Sequence, residues 1–386
     1  MKKSGNQRFQ EGLYRVLRVL LLPAFTFLFK AKADKSPVIQ PPFMVVANHV
    51  TDYDFFYPAK VIRQPLGFVV GEGLLQNRWL RKLLIDGLGC ISKRKATKDI
   101  HTVSAIFRRL KNGRSVCLFV EGNTTFDGVT GPFSPAIGKL FGLVDAGLVT
   151  LRIEGGYFLK PRWGKGLRRG KTACRIVNVY TKEELKSKNA DEVNAILKKD
   201  LFEDAYLRQE SMPVRYKSRR KAEGIEHAAY LCPVCEAQSS IYGKKNQVIC
   251  NECGTEAEFT DFGFIEGGFP HKTLREWLSW QREQLKSKMA SAENPLLLSD
   301  ERQTLFMPDE QGKMRTKAEG KMLMDRETLS IGDFAVKIKD IAGLEIYRKN
   351  VIQFSTMDGQ YCQTGKTAGL NALKYRDLYE IIKAGD

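Results

Sequence analysis

Residues 45–56 read VVANHVTDYDFF. The apolar MVV of residues 44–46 has the character of a buried strand, and the run DFFYPAKVI from Asp54 has that of a helix, so the polar residues between them fall in a strand-to-helix turn. Active sites of α/β proteins gather at that edge. Within the turn His49 and Asp54 stand five positions apart. A neutral imidazole accepts a proton near neutral pH, and a carboxylate behind it fixes the tautomer and stabilises the imidazolium that forms. Asp52, three residues from His49, is a rival for the orienting role. A His and an Asp in one loop can equally be a satisfied surface pair, so the weight of the reading falls on the rest of the chain.

Working outward, residues 117–128, CLFVEGNTTFDG, repeat the architecture: an apolar strand, then Glu121-Gly122, then polar residues where the chain must turn. Apolar runs at 43–47, 66–70, 115–120, 148–153 and 174–180 predict strands, and helical periodicity predicts helices over 53–63, 74–88, 98–112 and 135–146. Strands alternating with helices predict an α/β core with a mostly parallel sheet flanked by helices. A capping box at Thr181–Glu184 opens a further helical stretch that Asn189 splits. The charged segment PVRYKSRRKAEG ends this first domain.

The blocks NHVTDYD, GCISKR and FVEGNT, followed by the apolar strand LVTLRIEGG, come in an order and spacing that resembles the glycerolipid acyltransferase family, specifically the bacterial 1-acylglycerol-3-phosphate acyltransferases. The likeness covers roughly residues 10–210. The first block, NHxxxxD, is matched fully by Asn48, His49 and Asp54. The third is matched in part: Thr124 occupies the position of a family arginine that helps hold the acceptor's phosphate. The resemblance implies that His49 is the general base and that Asp54 orients it. It further implies that Arg94 holds phosphate, with Lys93, Lys139 and Arg152 as helpers, and that Asn48, Glu121, Gly122, Asn123 and Thr124 shape the substrate site. Losing a planar, permanently charged fork at position 124 removes a bidentate phosphate contact, so the acceptor's phosphate sits differently or the acceptor is not a simple phosphomonoester.

A formal charge of +18, from 62 basic against 44 acidic residues, favours a negative partner. The stretch EGLYRVLRVLLLPAFTFLFKAK carries an apolar run, Val19–Phe29, that is shorter than the roughly 20 residues a bilayer span needs. Arg15, Arg18, Lys30 and Lys32 flank it and Pro23 is expected to interrupt it, a pattern suited to lying among lipid headgroups. A secretory signal is the rival reading, against which no small-residue cleavage site follows; a buried core helix is another. Residues 157–182 contain no Asp or Glu and mix eight cations with aromatic residues. This tract suits lipid headgroups, an acyl carrier protein or coenzyme A phosphates, though it can also be a solvated hairpin tip.

Cys232, Cys235, Cys250 and Cys253 form two CxxC pairs fourteen residues apart, the spacing of a zinc ribbon with a structural zinc. His227 stands nearby but is not needed as a ligand. A redox CxxC lacks its usual context here, and disulfides require an oxidising compartment. Reading ribbon and charge together as a nucleic-acid binder ranks second, for want of a basic reading face, since Glu236, Glu252, Glu256 and Glu258 offset the two lysines at the tip. Residues 270–295 are expected to be a packed helix, and the remainder an antiparallel β unit closed by a helix with Leu373, Leu378 and Ile381 on one face. This order resembles a pleckstrin-homology or GRAM-type barrel. The expected organisation is therefore an interfacial segment (1–35), an acyltransferase domain (36–211), a zinc ribbon (225–262), a helical connector (270–295) and the β domain (300–386).

Neither a P-loop nor a GxSxG nucleophile elbow is present, which disfavours nucleotide hydrolysis and covalent acyl-enzyme chemistry. The expectation is a peripheral enzyme on the cytoplasmic face of the cell membrane. It would move a fatty acyl group from acyl-CoA or acyl carrier protein to 1-acylglycerol-3-phosphate, with membrane lipids as partners and no catalytic cofactor. Glycerol-3-phosphate or another lysolipid is the alternative acceptor, and a non-catalytic lipid- or nucleic-acid-binding adaptor the alternative class.

Overall fold

The computed structural model describes residues 4–93, 100–290, 298–365 and 370–385. Two compact units emerge, one from most of the chain up to Ser218, the other from Trp163–Gly166 together with the chain from Arg219 onward.

The first unit is built on a seven-stranded sheet. Its strands are β1 (Ala31–Ala33), β2 (Phe43–Ala47), β3 (Gly67–Gly71), β4 (Ile91–Lys93), β5 (Val116–Phe119), β6 (Gly147–Glu154) and β7 (Thr172–Tyr180), in the order β1-β7-β6-β2-β5-β3-β4. All neighbours are parallel except β6 and β7. This is the mostly parallel α/β sheet expected from the alternating pattern. β2 lies at the centre, and all five of its residues are fully buried, as an unbroken apolar run between two covered faces must be. Helices Ile100–Lys111, Ala136–Leu143 and Ala190–Leu201 supply Ile106, Leu110, Leu140, Phe141, Val193 and Leu197 to the core against β2, β5 and β6. Two short strands, β1 and β4, escaped the sequence reading because three residues carry no periodicity. The predicted helix over 74–88 is instead a 3-10 turn, one α turn and a π segment, Glu72–Gly87 in all.

The N-terminal helix runs without interruption from Gly5 to Phe29 with Pro23 inside it, which corrects the expected break. At 25 residues it is about 37 Å long. Ser4 caps its start, and Lys30 ends it in a left-handed conformation (φ 44°). One face is anchored: Tyr14, Phe25 and Phe29 are buried, and Arg18 Nε donates to the Ala59 carbonyl at 2.7 Å. The other face leaves Val19, Leu20 and Phe27 exposed, Phe27 by 82%.

In the second unit, β8 (Ile241–Lys244), β9 (Gln247–Cys250), β10 (Glu256–Phe259) and β11 (Ile265–Gly267) make a small antiparallel sheet. The helix Leu274–Ala290 is packed, as its periodicity suggested: Trp277 is fully buried and its Nε1 donates to the Leu231 carbonyl at 2.9 Å. A seven-stranded antiparallel sheet follows, from β12 (Leu298–Pro308), β13 (Met314–Met324), β14 (Thr328–Ile331), β15 (Phe334–Lys337), β16 (Ile341–Tyr347), β17 (Val351–Thr356) and β18 (Tyr361–Thr364). Its order is β15-β14-β13-β12-β18-β17-β16. The helix Ala372–Gly385 closes the chain with Leu373, Leu378 and Ile382 buried; Ile382 takes the place expected for Ile381.

Candidate active site

The parallel strands β2 and β5 end level with each other, Ala47 opposite Phe119, and β6, whose Leu151 also stands opposite Ala47, runs three residues further to Glu154. The turns that leave them therefore meet at the C-terminal edge of the sheet. His49 enters from the β2 turn, Glu121 from the β5 turn and Ile153 from the end of β6.

Asp54 is the hub of its turn. Its Oδ2 accepts from the backbone N–H of Val50 (2.6 Å) and Thr51 (3.0 Å), and its Oδ1 from the Thr51 hydroxyl (2.7 Å). The same Oδ2 lies 2.9 Å from His49 Nδ1. A carboxylate only accepts, so Nδ1 carries the proton and Nε2 is left as the basic nitrogen. Asp54 is completely shielded from solvent, whereas the His49 side chain keeps 22% of its exposure, which suits a base that must meet a substrate. The imidazole stacks on Phe119 at 4.7 Å between ring centroids. Asp52 plays no part in this pairing: its carboxylate is 77% exposed and lies 4.0 Å from Lys160 Nζ.

Glu121 ties the two turns together. One carboxylate oxygen accepts from the His49 backbone N–H at 2.7 Å, the other from the Gly131 N–H at 2.6 Å. Burial pushes its pKa up to about 8, against the pull of those two donors. Gly122 follows at φ 70°, a left-handed conformation that favours glycine. Beside it, Lys93 Nζ lies 3.8 Å from where a β-carbon at residue 122 would stand.

Two candidate residues have other placements. Asn48, expected at the substrate, is fully buried; its Nδ2 donates to the Ile153 carbonyl (3.0 Å) and its Oδ1 accepts the Ile153 N–H (2.7 Å), so the amide extends the β2–β6 pairing by one residue. Arg152 is committed to the C-terminal end of the helix Ala190–Leu201, donating from Nε and Nη2 to the Asp200 carbonyl at 3.1 and 2.9 Å. Arg94 lies outside the described residues. Asn123 and Thr124 are half-buried in the β5 turn, and Lys139 is exposed on its helix. One residue that the sequence reading had left inside the basic tract joins the site: Arg162 donates from Nη1 to the Thr124 carbonyl at 2.8 Å and lies over the Phe126 ring at 4.5 Å. A cavity of about 720 Å³ lined by Pro42, Lys111, Gly147 and Tyr180 lies at the opposite, N-terminal edge of β2 and β6 and includes none of these groups.

The sequence comparison identifies this architecture. Residues 29–154 match the model of the Acyltransferase family. This stretch is an acyltransferase-type domain. By structure, the chain is similar to the 1-acyl-sn-glycerophosphate (LPA) acyltransferase PlsC from Thermotoga maritima, at 21% identity, 50% coverage of this chain, 79% of that one and a TM-score of 0.41. It is also similar to the N-terminal PH domain of human ARAP2 (9% identity, 25% and 88% coverage, TM-score 0.20). A third similar structure is the C-terminal domain of an unknown protein from Leishmania infantum (12% identity, 28% and 98% coverage, TM-score 0.18). No curated protein matches the chain. The His49–Asp54 pair and the Glu121 turn both fall within the acyltransferase domain.

In the second unit the sulfurs of Cys232, Cys235, Cys250 and Cys253 all lie within 4.8 Å of one another and can hold a metal ion. The pairs Cys232–Cys253 and Cys235–Cys250 are 3.9 and 3.8 Å apart. Four thiolates about 2.3 Å from a tetrahedral zinc stand about 3.8 Å from one another, so the donor set fits that ion. Glu236 and Gly254, each following the second cysteine of a pair, take the positive φ (57° and 71°) that folds a knuckle around a metal. His227 is not part of the cluster; its Nδ1 lies 3.4 Å from the Leu370 carbonyl.

Proposed function

We propose that the protein transfers a fatty acyl group from a thioester, acyl-CoA or acyl carrier protein, to the free hydroxyl of 1-acylglycerol-3-phosphate, forming phosphatidic acid at a membrane surface. The observation that carries this reading is the His49–Asp54 pair, a buried carboxylate behind a partly exposed imidazole, inside an acyltransferase-type domain. His49 Nε2 takes the hydroxyl proton as the acceptor oxygen attacks the thioester carbonyl carbon. The carbon–sulfur bond then breaks, and the thiolate leaves with the proton returned from His49. Asp54 holds the Nδ1 proton and balances the imidazolium. Glu121 acts one step removed, fixing the backbone on which His49 rides.

For the acceptor's phosphate, Lys93 beside Gly122 and Arg162 at the Thr124 carbonyl are the cations best placed among the described residues. Arg162 would supply from another segment the guanidinium that position 124 lacks; a fork-shaped donor holds phosphate in two bonds. The N-terminal helix, with its exposed apolar face, would seat the enzyme on the cytoplasmic side of the membrane. The four cysteines would hold a structural zinc, and the transfer itself needs no metal. The C-terminal sheet and closing helix are read as a pleckstrin-homology or GRAM-type unit on strand order alone.

The test is acylation of radiolabelled 1-acylglycerol-3-phosphate in anionic vesicles with both donors offered. Wild-type protein should yield labelled phosphatidic acid, and His49→Ala should lose about 10²–10⁴-fold in rate, the worth of a positioned general base. No product with either donor would refute the assignment, and glycerol-3-phosphate and other lysolipids would be tried in turn.

A further inference from the structure

The basic tract of residues 157–182 does not behave as one patch, because folding sends its cations to different places. Arg162 goes to the active-site turn, Arg175 pairs with Asp34 at 3.1 Å, and Arg168 is buried with Nη1 3.3 Å from the Phe158 carbonyl. Arg169 and Lys171 go elsewhere. With Lys30, Arg215 and Lys217 they line a cavity of about 450 Å³, and none of the residues lining it is acidic.

Two features distinguish this cavity from a chance cluster of surface cations. Its walls are built. Arg169 and Lys217 exchange backbone hydrogen bonds, both at 2.9 Å, and the Tyr216 hydroxyl donates to the Lys171 carbonyl at 2.9 Å. The Tyr216 ring lies so close over Gly170 that a β-carbon there would stand 2.1 Å from it. The third wall is the end of the N-terminal helix, where Lys30 N–H donates to the Phe27 carbonyl and the Thr172 hydroxyl donates to the Phe29 carbonyl at 3.0 Å. Its charge is also one-sided: five like charges around one void repel, and an anion between them removes the penalty.

Position decides which anion. The exposed apolar face of the N-terminal helix ends at Phe27 and Leu28, 82% and 54% exposed, immediately before Lys30. If that face enters the acyl layer, the cavity comes to the level of the phosphates. We propose that the cavity formed by Lys30, Arg169, Lys171, Arg215 and Lys217 binds the headgroup phosphate of an anionic membrane lipid. This rests on the membrane-facing reading of the N-terminal helix and not on the acyl-transfer reading.

The experiment compares full-length wild type, the triple variant Arg169→Gln/Lys171→Gln/Lys217→Gln, and a control that removes the same charge elsewhere, Lys272→Gln/Lys317→Gln/Lys337→Gln. Partition is measured into phosphatidylcholine vesicles with and without phosphatidylglycerol, and coenzyme A and inorganic phosphate are offered as soluble competitors. The cavity variant should lose on the order of a hundredfold in partition to anionic vesicles, since each cation near such a surface is worth about fivefold. It should bind zwitterionic vesicles like wild type, and the control should stay within a few-fold. Equal losses in cavity variant and control would overturn the proposal in favour of bulk charge. Loss of coenzyme A binding in the cavity variant with unchanged partition would overturn it in favour of the donor. If wild-type protein ignores every vesicle, the membrane reading falls with it; acyl transfer to a detergent-dispersed acceptor is scored separately and is untouched by either result.

Discussion

Asp54 is shielded from water and both of its carboxylate oxygens accept hydrogen bonds, which makes its substitutions diagnostic. In Asp54→Asn the amide oxygen can occupy the Oδ2 position and keep the Val50 and Thr51 N–H groups, while its NH2 faces a Thr51 hydroxyl free to turn and accept. The fold should therefore hold while the charge behind His49 is lost: thermal stability near wild type, turnover down by about 10²–10⁴-fold. Asp54→Ala instead orphans two buried N–H groups, at about 1–3 kcal/mol each, and should lose stability as well as turnover. Glu121 gives a pH prediction. Burial raises its folded pKa to about 8, above the ordinary carboxyl value. The folded state thus favours the protonated form, and the associated stability is full in acid and lost as pH rises toward 8. Glu121→Gln cannot titrate, so its melting-temperature deficit against wild type should be largest near pH 5 and narrow toward pH 8. A constant deficit over that range would mean that the carboxyl stays ionised in the fold. The pairing at this scale was legible because His49 and Asp54 are five residues apart and meet within one turn. The roles of Asn48 and Arg162 were not, since their partners lie 105 and 38 positions away.

Elements carry the next two predictions. The N-terminal helix keeps Leu20 and Phe27 in solvent at 66% and 82%, so replacing them removes no core packing. Leu20→Asp/Phe27→Asp should leave the melting temperature within about 1 °C while reducing vesicle partition more than tenfold, the worth of two buried apolar side chains at about 1.5–3 kcal/mol each. A fall in stability instead of partition would mark a helix packed in the fold rather than one facing lipid. For the cysteine knuckles, metal analysis should find one zinc per chain, and Cys250→Ser should release it, because a closed structural site needs all four thiolates. The helix's apolar content was readable from sequence, but its continuity was not: Pro23 removes one N–H donor, and packing of Phe25 against Phe56 and Tyr57 at 4.8 and 4.9 Å holds the helix through it. Between Glu72 and Gly87 the apolar spacing predicted one helix, where the chain winds through three kinds of turn.

At the scale of the molecule, a formal charge of +18 makes association with any anionic surface salt-dependent. Binding to phosphatidylglycerol vesicles should weaken by an order of magnitude or more between about 50 and 200 mM salt, while binding to phosphatidylcholine stays nearly constant; a flat response in both would show that charge has no part in docking. By itself the sequence determined the mostly parallel α/β class of the first unit, the His49–Asp54 pair at a strand end and the four-cysteine constellation. Each of these is written in local order: apolar runs of strand length, a five-residue turn, two CxxC pairs. Only the tertiary structure decided that β2 lies between β5 and β6, which turns Asn48 into a bracket and brings Glu121 under His49. It also divided one basic tract between the turn after β5 and a five-cation cavity. The reason is physical: strand order and side-chain direction are settled by which apolar faces bury one another across the whole sheet, and no local pattern of residues encodes that choice.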